Sequence, residues 1–282
     1  MNLTNAGAEV FAPEGVDVYA ALERTTHLGI SAHQDDIELM AYHGIARCFG
    51  REDAHFGAVI VTNGSGSPRA DLYADYSDED MMKIRRTEQK KAAIVGDYSL
   101  AALLDYPSSS VKDAANKSVI ADIRALLQAA KPRVIYTHNL ADKHDTHVAV
   151  ALRTIEAIRQ LQPETQPKEV YGCEVWRGLD WLNDQDKTVF DVSEHENLAA
   201  AVMGVFDSQI SGGKRYDLAA IGRRRANATF FESHGVDESD ALSFAMDLTP
   251  LVSDEDRDIA AYVQEYVTRF AQDVADRIAR FA

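Results

Sequence analysis

Two short stretches hold the residue types that bind metals and move protons. The first is His33-Gln34-Asp35-Asp36. It follows the apolar run 28–32, which reads as a buried strand. A helical pattern of Ile37, Met40, Ala41, Ile45 and Cys48 starts at once. An imidazole and two carboxylates therefore sit where a strand ends and a helix begins. In an open α/β sheet, ligands bind outside the carboxyl ends of the strands. Asp at such a junction also has a purely structural use, since it caps helices and opposes their dipole. A second stretch favours the chemical use: His138-Asn139-Leu140-Ala141-Asp142-Lys143-His144-Asp145-Thr146-His147. It too follows an apolar strand, 133–137, and opens a helix, 147–161. Two such junctions on one sheet edge could bring His33, Asp36 and His147 together. Three protein ligands with a position left open for water are the template of a catalytic zinc site.

At these residues the chain resembles the PIG-L/LmbE-like metal-dependent de-N-acetylases. His33-Gln34-Asp35-Asp36 is similar to that family's His-Pro-Asp-Asp signature. Asp142-Lys143-His144-Asp145-Thr146-His147 is similar to its Asp-Arg-His-Pro-Asp-His signature. The resemblance runs from about residue 26 to about residue 230. It implies His33, Asp36 and His147 as metal ligands, Asp35 as general base and His144 as the assisting imidazole. It also implies that Arg85, in Ile84-Arg85-x-x-Glu88, contacts substrate. The expected cofactor is Zn2+, with Fe2+ or another divalent metal as alternatives. The expected reaction is removal of an N-acetyl or similar acyl group from an amino sugar or glycoconjugate, with Asp35 activating a water on the metal. Two residues depart from the pattern. Gln34 replaces Pro at a spacer position. Thr146 replaces the Asp that orients the assisting histidine, and Asp145 or Asp142 could substitute for it.

Two other readings compete. Thr146 would suit a degenerate member that binds metal and ligand without efficient turnover. Two His and one carboxylate also make the facial triad of non-haem iron oxygenases. Asp35 and His144 beside the triad favour hydrolysis, because an oxygenase has no use for a placed base. The loop Asn63-Gly64-Ser65-Gly66-Ser67-Pro68 is not GxxxxGK[ST], and no GxGxxG follows the first strand, so neither a P-loop nor a dinucleotide site is expected. The loop reads as a mobile segment beside the site. His43, His55 and His138 lie near the motifs but are read as non-ligands. Tyr171, Trp176 and Trp181 could stack on a sugar ring, although core packing is the commoner use.

The elements that must position these groups alternate strand and helix. Strands are expected at 27–32, 58–62, 100–104, 133–137, 170–176 and 188–192. Helices are expected at 36–49, 80–95, 114–130, 147–161, 193–206, 214–228 and 255–282. Asp78 or Asp80 would cap the second, and Ser193 with Glu196 would form a capping box on the fifth. The pattern predicts an α/β, Rossmann-like fold with a mostly parallel sheet, helices on both faces and a C-terminal helical extension. Residues 1–25 read as a lead-in, 26–230 as the catalytic domain and 231–282 as a helical extension packed on it. That last helix could also meet another subunit, so a homo-oligomer is compatible with the sequence.

The chain has 282 residues, 46% of them hydrophobic, enough for one large domain without disulfides. Its two cysteines, Cys48 and Cys173, lack CxxC spacing and read as core residues of a reducing compartment. The formal charge of −16 argues against nucleic acid and anionic membranes as partners. No signal peptide and no membrane-length apolar run is evident, so the expected location is cytoplasmic.

Overall fold

The computed structural model describes residues 1–230 and 236–282. Eight strands form one sheet: β1 (Glu9–Phe11), β2 (His27–Ser31), β3 (Phe56–Thr62), β4 (Leu100–Tyr106), β5 (Val134–His138), β6 (Glu169–Cys173), β7 (Thr188–Asp191) and β8 (Leu242–Asp247). Their spatial order is β1-β4-β3-β2-β5-β6-β8-β7. The run β4-β3-β2-β5-β6 is parallel throughout, while β1 and β8 lie antiparallel to their neighbours. The expected mostly parallel α/β sheet is borne out.

The central strands are apolar through most of their length because both of their faces are covered, and their polar residues fall chiefly at the strand ends. Alternate residues point to opposite faces. Leu28, Ile30, Val59, Val61 and Ile135 join one core cluster with Val119, Ile123, Ile155 and Ile158 of the helices Ser118–Ala130 and Asp145–Arg159. Ala58, Ile60, Val134 and Tyr136 join a second cluster on the other face, with Ile45 and Val202 of the helices Tyr42–Cys48 and Glu196–Gly204. Gly44 lets the first of these lie close on the sheet. A Cβ there would stand 2.6 Å from the Tyr136 ring and 2.8 Å from the Phe56 ring.

The structure departs from the sequence pattern at several elements. The helix expected over 36–49 breaks at Ala41 into Asp36–Met40 and Tyr42–Cys48. The helix Asp78–Val95 starts earlier than expected, and its cap is Ser77, in a capping box with Asp80. Ser193 caps no helix. Its hydroxyl instead receives the N–H groups of Asp240 and Ala241, and Glu196–Gly204 starts without a side-chain cap. Two strands fall where none is expected, β1 within 1–25 and β8 within 231–282. The first five residues of that last segment, 231–235, lie outside the described residues. The C-terminal helix Ile259–Phe281 buries chiefly Tyr262, whose hydroxyl donates to the Asp247 carbonyl of β8. Cys48 and Cys173 are buried free thiols. Among the described residues, no helix is long and apolar enough to cross a membrane.

After the edge strand β1, the chain runs to β2, winds outward through β3 and β4, then returns to the other side of β2 as β5. The direction of winding therefore reverses between β2 and β5. That reversal opens a crevice at their carboxyl ends, where ligands bind in sheets of this kind. His33-Gln34-Asp35-Asp36 leaves β2 at this point, and the segment 138–147 leaves β5 beside it.

Candidate metal centre

Three atoms from the two junctions converge. His33 Nδ1 lies 3.1 Å from Asp36 Oδ2, His147 Nε2 lies 3.4 Å from the same oxygen, and the two ring nitrogens are 3.2 Å apart. Ligands about 2.1 Å from one ion stand about 3.0–3.4 Å apart in octahedral or tetrahedral geometry, so the three atoms suit a single divalent cation. Local structure explains the convergence. Asp36 opens a helix, and its Oδ2 also accepts the His33 backbone N–H at 2.7 Å, which folds the junction onto itself.

His147 is 1% exposed, and its other nitrogen, Nδ1, is 3.1 Å from Asp142 Oδ2. A carboxylate there fixes the ring's orientation and tautomer and makes Nε2 a better ligand. Burial opposes a charge on His147, but Asp36 and Asp142 outweigh it and raise its pKa. Burial likewise pushes the Asp36 carboxyl up, yet His147 and His33, with a hydrogen bond from His33, hold it well below the usual carboxylate range.

Two further histidines crowd this point. His33, His144 and His147 each place a nitrogen within 4.8 Å of the others, as do the donor atoms of Asp36, His138 and His147. His138 is fully buried at the end of β5 and stacks on His147 at 4.0 Å. Its Nε2 accepts the Ala32 N–H at 2.8 Å, so its lone pair is already committed to the backbone. It braces Asp36 and His147 from behind. His144 caps the helix Asp145–Arg159, and its Nδ1 accepts the Thr146 N–H at 3.3 Å. That leaves Nε2 as its protonated nitrogen, a donor beside the three ligand atoms. Neither Asp142 nor Asp145 takes the place of an orienting carboxylate on His144. Asp142 serves His147, and a backbone N–H sets His144.

Asp35 sits next to Asp36 but faces another group. Its φ of 84° is a left-handed conformation that costs a non-glycine residue about 1–3 kcal/mol. Gln89 Oε1 accepts its N–H at 3.3 Å, and Arg85 Nη2 lies 3.2 Å from its Oδ2. Burial raises its pKa to about 6, against the pull of Arg85 and with a push from Asp36. Arg85 is 1% exposed and lines the cleft, but its Nη2 is bound to Asp35 and to the Gln34 carbonyl. Its Nε and Nη1 have no hydrogen-bond partner among the described residues.

The cleft over these groups holds about 290 Å3. Its walls include Gly64, Ser67, Lys112, Trp176, Lys214 and Tyr216. The 63–68 turn thus lines the site. Of the three aromatic residues singled out in the sequence, Trp176 reaches the cleft. Tyr171 packs on Tyr136 and Phe190, and Trp181 donates to Glu174. His43 stacks on Phe190, away from the ligands. His55 precedes β3, at the opposite end of the sheet. The roles of Gln89 and Asp142 in holding the site depend on tertiary packing, and only Asp142 stood within a recognisable motif.

Residues 28–158 match the family model of the PIG-L GlcNAc-PI de-N-acetylases, so the family resemblance carried by the two motifs is borne out over that stretch. No curated protein matches the chain. Among solved structures, the chain is similar to the conserved protein TT1542 from Thermus thermophilus, with TM-score 0.62, 17% identity, and coverage of 83% of this chain and 99% of that one. It is also similar to N,N'-diacetylchitobiose deacetylase from Pyrococcus horikoshii, with TM-score 0.57, 17% identity, and coverage of 82% and 94%. A third is GalB, the 4-carboxy-2-hydroxymuconate hydratase from Pseudomonas putida, with TM-score 0.54, 17% identity, and coverage of 78% and 95%. These likenesses establish the fold. A deacetylase and a hydratase share it, so the reaction must be argued from the site.

Proposed function

Taking residues 28–158 as PIG-L-family sequence, we propose that this protein is a divalent-metal-dependent de-N-acetylase acting on an N-acylated amino sugar or conjugate. The observation that carries the reading is the set of three ligand atoms 3.1–3.4 Å apart with a buried, separately held carboxylate next to them. His33, Asp36 and His147 would hold the ion. A bound divalent ion supplies Lewis acidity, polarising an acyl carbonyl and lowering the pKa of water toward about 7.

The chain's own groups supply the rest. Asp35 accepts a proton from the attacking water, and Arg85 keeps its carboxylate turned toward the cleft. His144 presents Nε2–H to the oxygen that gains charge as the carbonyl carbon becomes tetrahedral. Asp35 then passes its proton to the departing amine, so the products are a free amine and a carboxylic acid. An oxygenase would leave both Asp35 and His144 unused. A solved structure of similar fold is described as the zinc-inhibited form of the teicoplanin deacetylase Orf2, which is reason to test ions besides zinc. For this chain the metal is to be chosen by assay.

The test is metal content and acetate release measured on one sample, with N-acetylglucosamine and N,N'-diacetylchitobiose as substrates. We expect release to stop with chelator and to return with zinc, iron(II) or cobalt. Acetate release unaffected by exhaustive chelation would overturn the proposal.

A further inference from the structure

Lys112 and Lys214 line the same cleft as the three ligand residues. Lys214 Nζ stands 4.6 Å from the Trp176 ring centre, and Lys143 Nζ stands 5.0 Å from it. Two ammonium groups on one indole lie within about a Debye length of each other, so they repel. Lys83, Lys90, Lys117 and Lys187 are paired with carboxylates. Lys112, Lys143 and Lys214 have no carboxylate partner among the described residues, nor have Lys91, Lys131 and Lys168, but of these six Lys112 and Lys214 line the cleft. The two acids that line the cleft, and Asp142 behind it, are committed elsewhere: Asp35 to Arg85, Asp36 to the histidines and Asp142 to His147. In a chain with formal charge −16, this cleft mouth gathers unpaired positive charge. With Asp35 paired to Arg85 and Asp36 to the histidines, the lysines are the cleft charges left without an opposite partner, and such charges attract ligands of the other sign. Trp176 Nε1, buried and without a partner among the described residues, and the Ser67 and Ser108 side chains on the cleft wall add neutral hydrogen-bonding groups.

We propose that the substrate carries an oxyanion, a carboxylate or phosphate, beyond the acylated amine, and that Lys112 and Lys214 receive it beside Trp176. Lys143 adds long-range attraction from outside the cleft. The inference rests on the deacetylase reading for its reaction and on the lysines for its selectivity.

Acetate release is to be compared for N-acetylglucosamine, its 1-phosphate, its 6-phosphate and N-acetylmuramic acid, whose lactyl arm carries a carboxylate. At least one anionic substrate should exceed the neutral sugar in kcat/KM by about tenfold or more, the size of one charge-assisted hydrogen bond. The preferred member separates phosphate from carboxylate. In the Lys112→Met/Lys214→Met double variant that ratio should collapse, and in the wild type it should shrink with added salt. Turnover without anionic preference, or a preference that survives the double variant, overturns the anion subsite and leaves the deacetylase standing. If none of the four releases acetate, inorganic phosphate is titrated into chelator-treated protein and followed by calorimetry. Saturable binding weakened about tenfold or more by the double variant supports the subsite independently of the reaction. No binding overturns it.

Discussion

Asp35 and Asp36 are neighbours in sequence, yet the structure gives them opposite electrostatic environments. Asp36 is held by the His33 and His147 imidazoles and stays ionised. Asp35 is held by Arg85 while burial lifts its pKa to about 6. One carboxylate is thereby suited to a cation and the other to a proton. Asp35→Asn is expected to keep bound metal and lose about 10²–10⁴-fold in kcat, the usual contribution of a positioned base. Metal analysis beside acetate release checks both halves, and a variant with undiminished kcat would remove Asp35 as base. Asp142 makes a different prediction. Its carboxylate meets His147 Nδ1 at 3.1 Å, so Asp142→Asn should weaken metal affinity about 10–100-fold. Competition with a chromogenic chelator reads that directly, and unchanged affinity would reduce the contact to packing. The convergence of the three residues proposed as ligands was legible in the sequence because each lies within one turn of a strand end or helix start. The tautomer of His144 was not, because a backbone N–H at Thr146 sets it, and any residue type but proline offers that group.

At the scale of elements, the helix Asp78–Val95 holds the left-handed turn at Asp35. Arg85, Glu88 and Gln89 are buried on one face, at the i, i+3 and i+4 positions that a helix aligns. Gln89 does two jobs there. Its Oε1 accepts the Asp35 N–H, and its Nε2 donates to Glu38 Oε1 at 2.9 Å, where the Tyr98 hydroxyl also donates at 2.8 Å. Replacing it with an apolar residue of similar length leaves a buried N–H without a partner and Glu38 with one donor fewer. Gln89→Met should therefore cost about 1–3 kcal/mol of stability, read from a urea midpoint. It should also lower kcat more than it changes KM, because the base is displaced while the cleft walls stay. An unchanged midpoint would show that the network is dispensable. None of this was readable locally, since a glutamine in a helix is ordinarily a solvated residue. The strands that were missed share a related cause. β1 has three residues, and β8, Leu242–Asp247, lacks β-branched residues and forms only because β6 and β7 offer it two long-range partners. The strands with unbroken apolar runs were the ones the sequence made plain.

For the whole molecule, covering both faces of the sheet buries titratable groups at the site and away from it, and their protons link stability to pH. His43 lies against the sheet, stacked 4.1 Å from Phe190 and 2.9 Å from the Tyr136 hydroxyl. Burial depresses its pKa to about 4, and Arg47 and His27 push the same way against Asp191. The unfolded chain therefore takes up this proton as pH falls below the ordinary value of 6.5, while the folded chain resists until about 4. Stability conferred by the neutral ring is full above that window and is lost as pH falls through it. His27, with a pKa lowered to about 4 by burial, adds a loss of the same sign. Glu38 works in reverse. Burial raises its carboxyl to about 7 from 4.5, so its contribution fades as pH rises between those values. His43→Gln keeps a group that can hydrogen-bond Tyr136 and removes the proton. The variant should melt lower than the wild type at pH 7.5, because the ring stacking is gone. It should then lose less in Tm between pH 7.5 and pH 5, because one of the groups that destabilises the fold in acid is absent. Asp36, Asp142 and Glu38 titrate in both proteins, so the difference between the two melting curves reports His43 together with its electrostatic neighbours His27 and Asp191. Parallel curves across that range would mean that the His43 proton is not linked to folding.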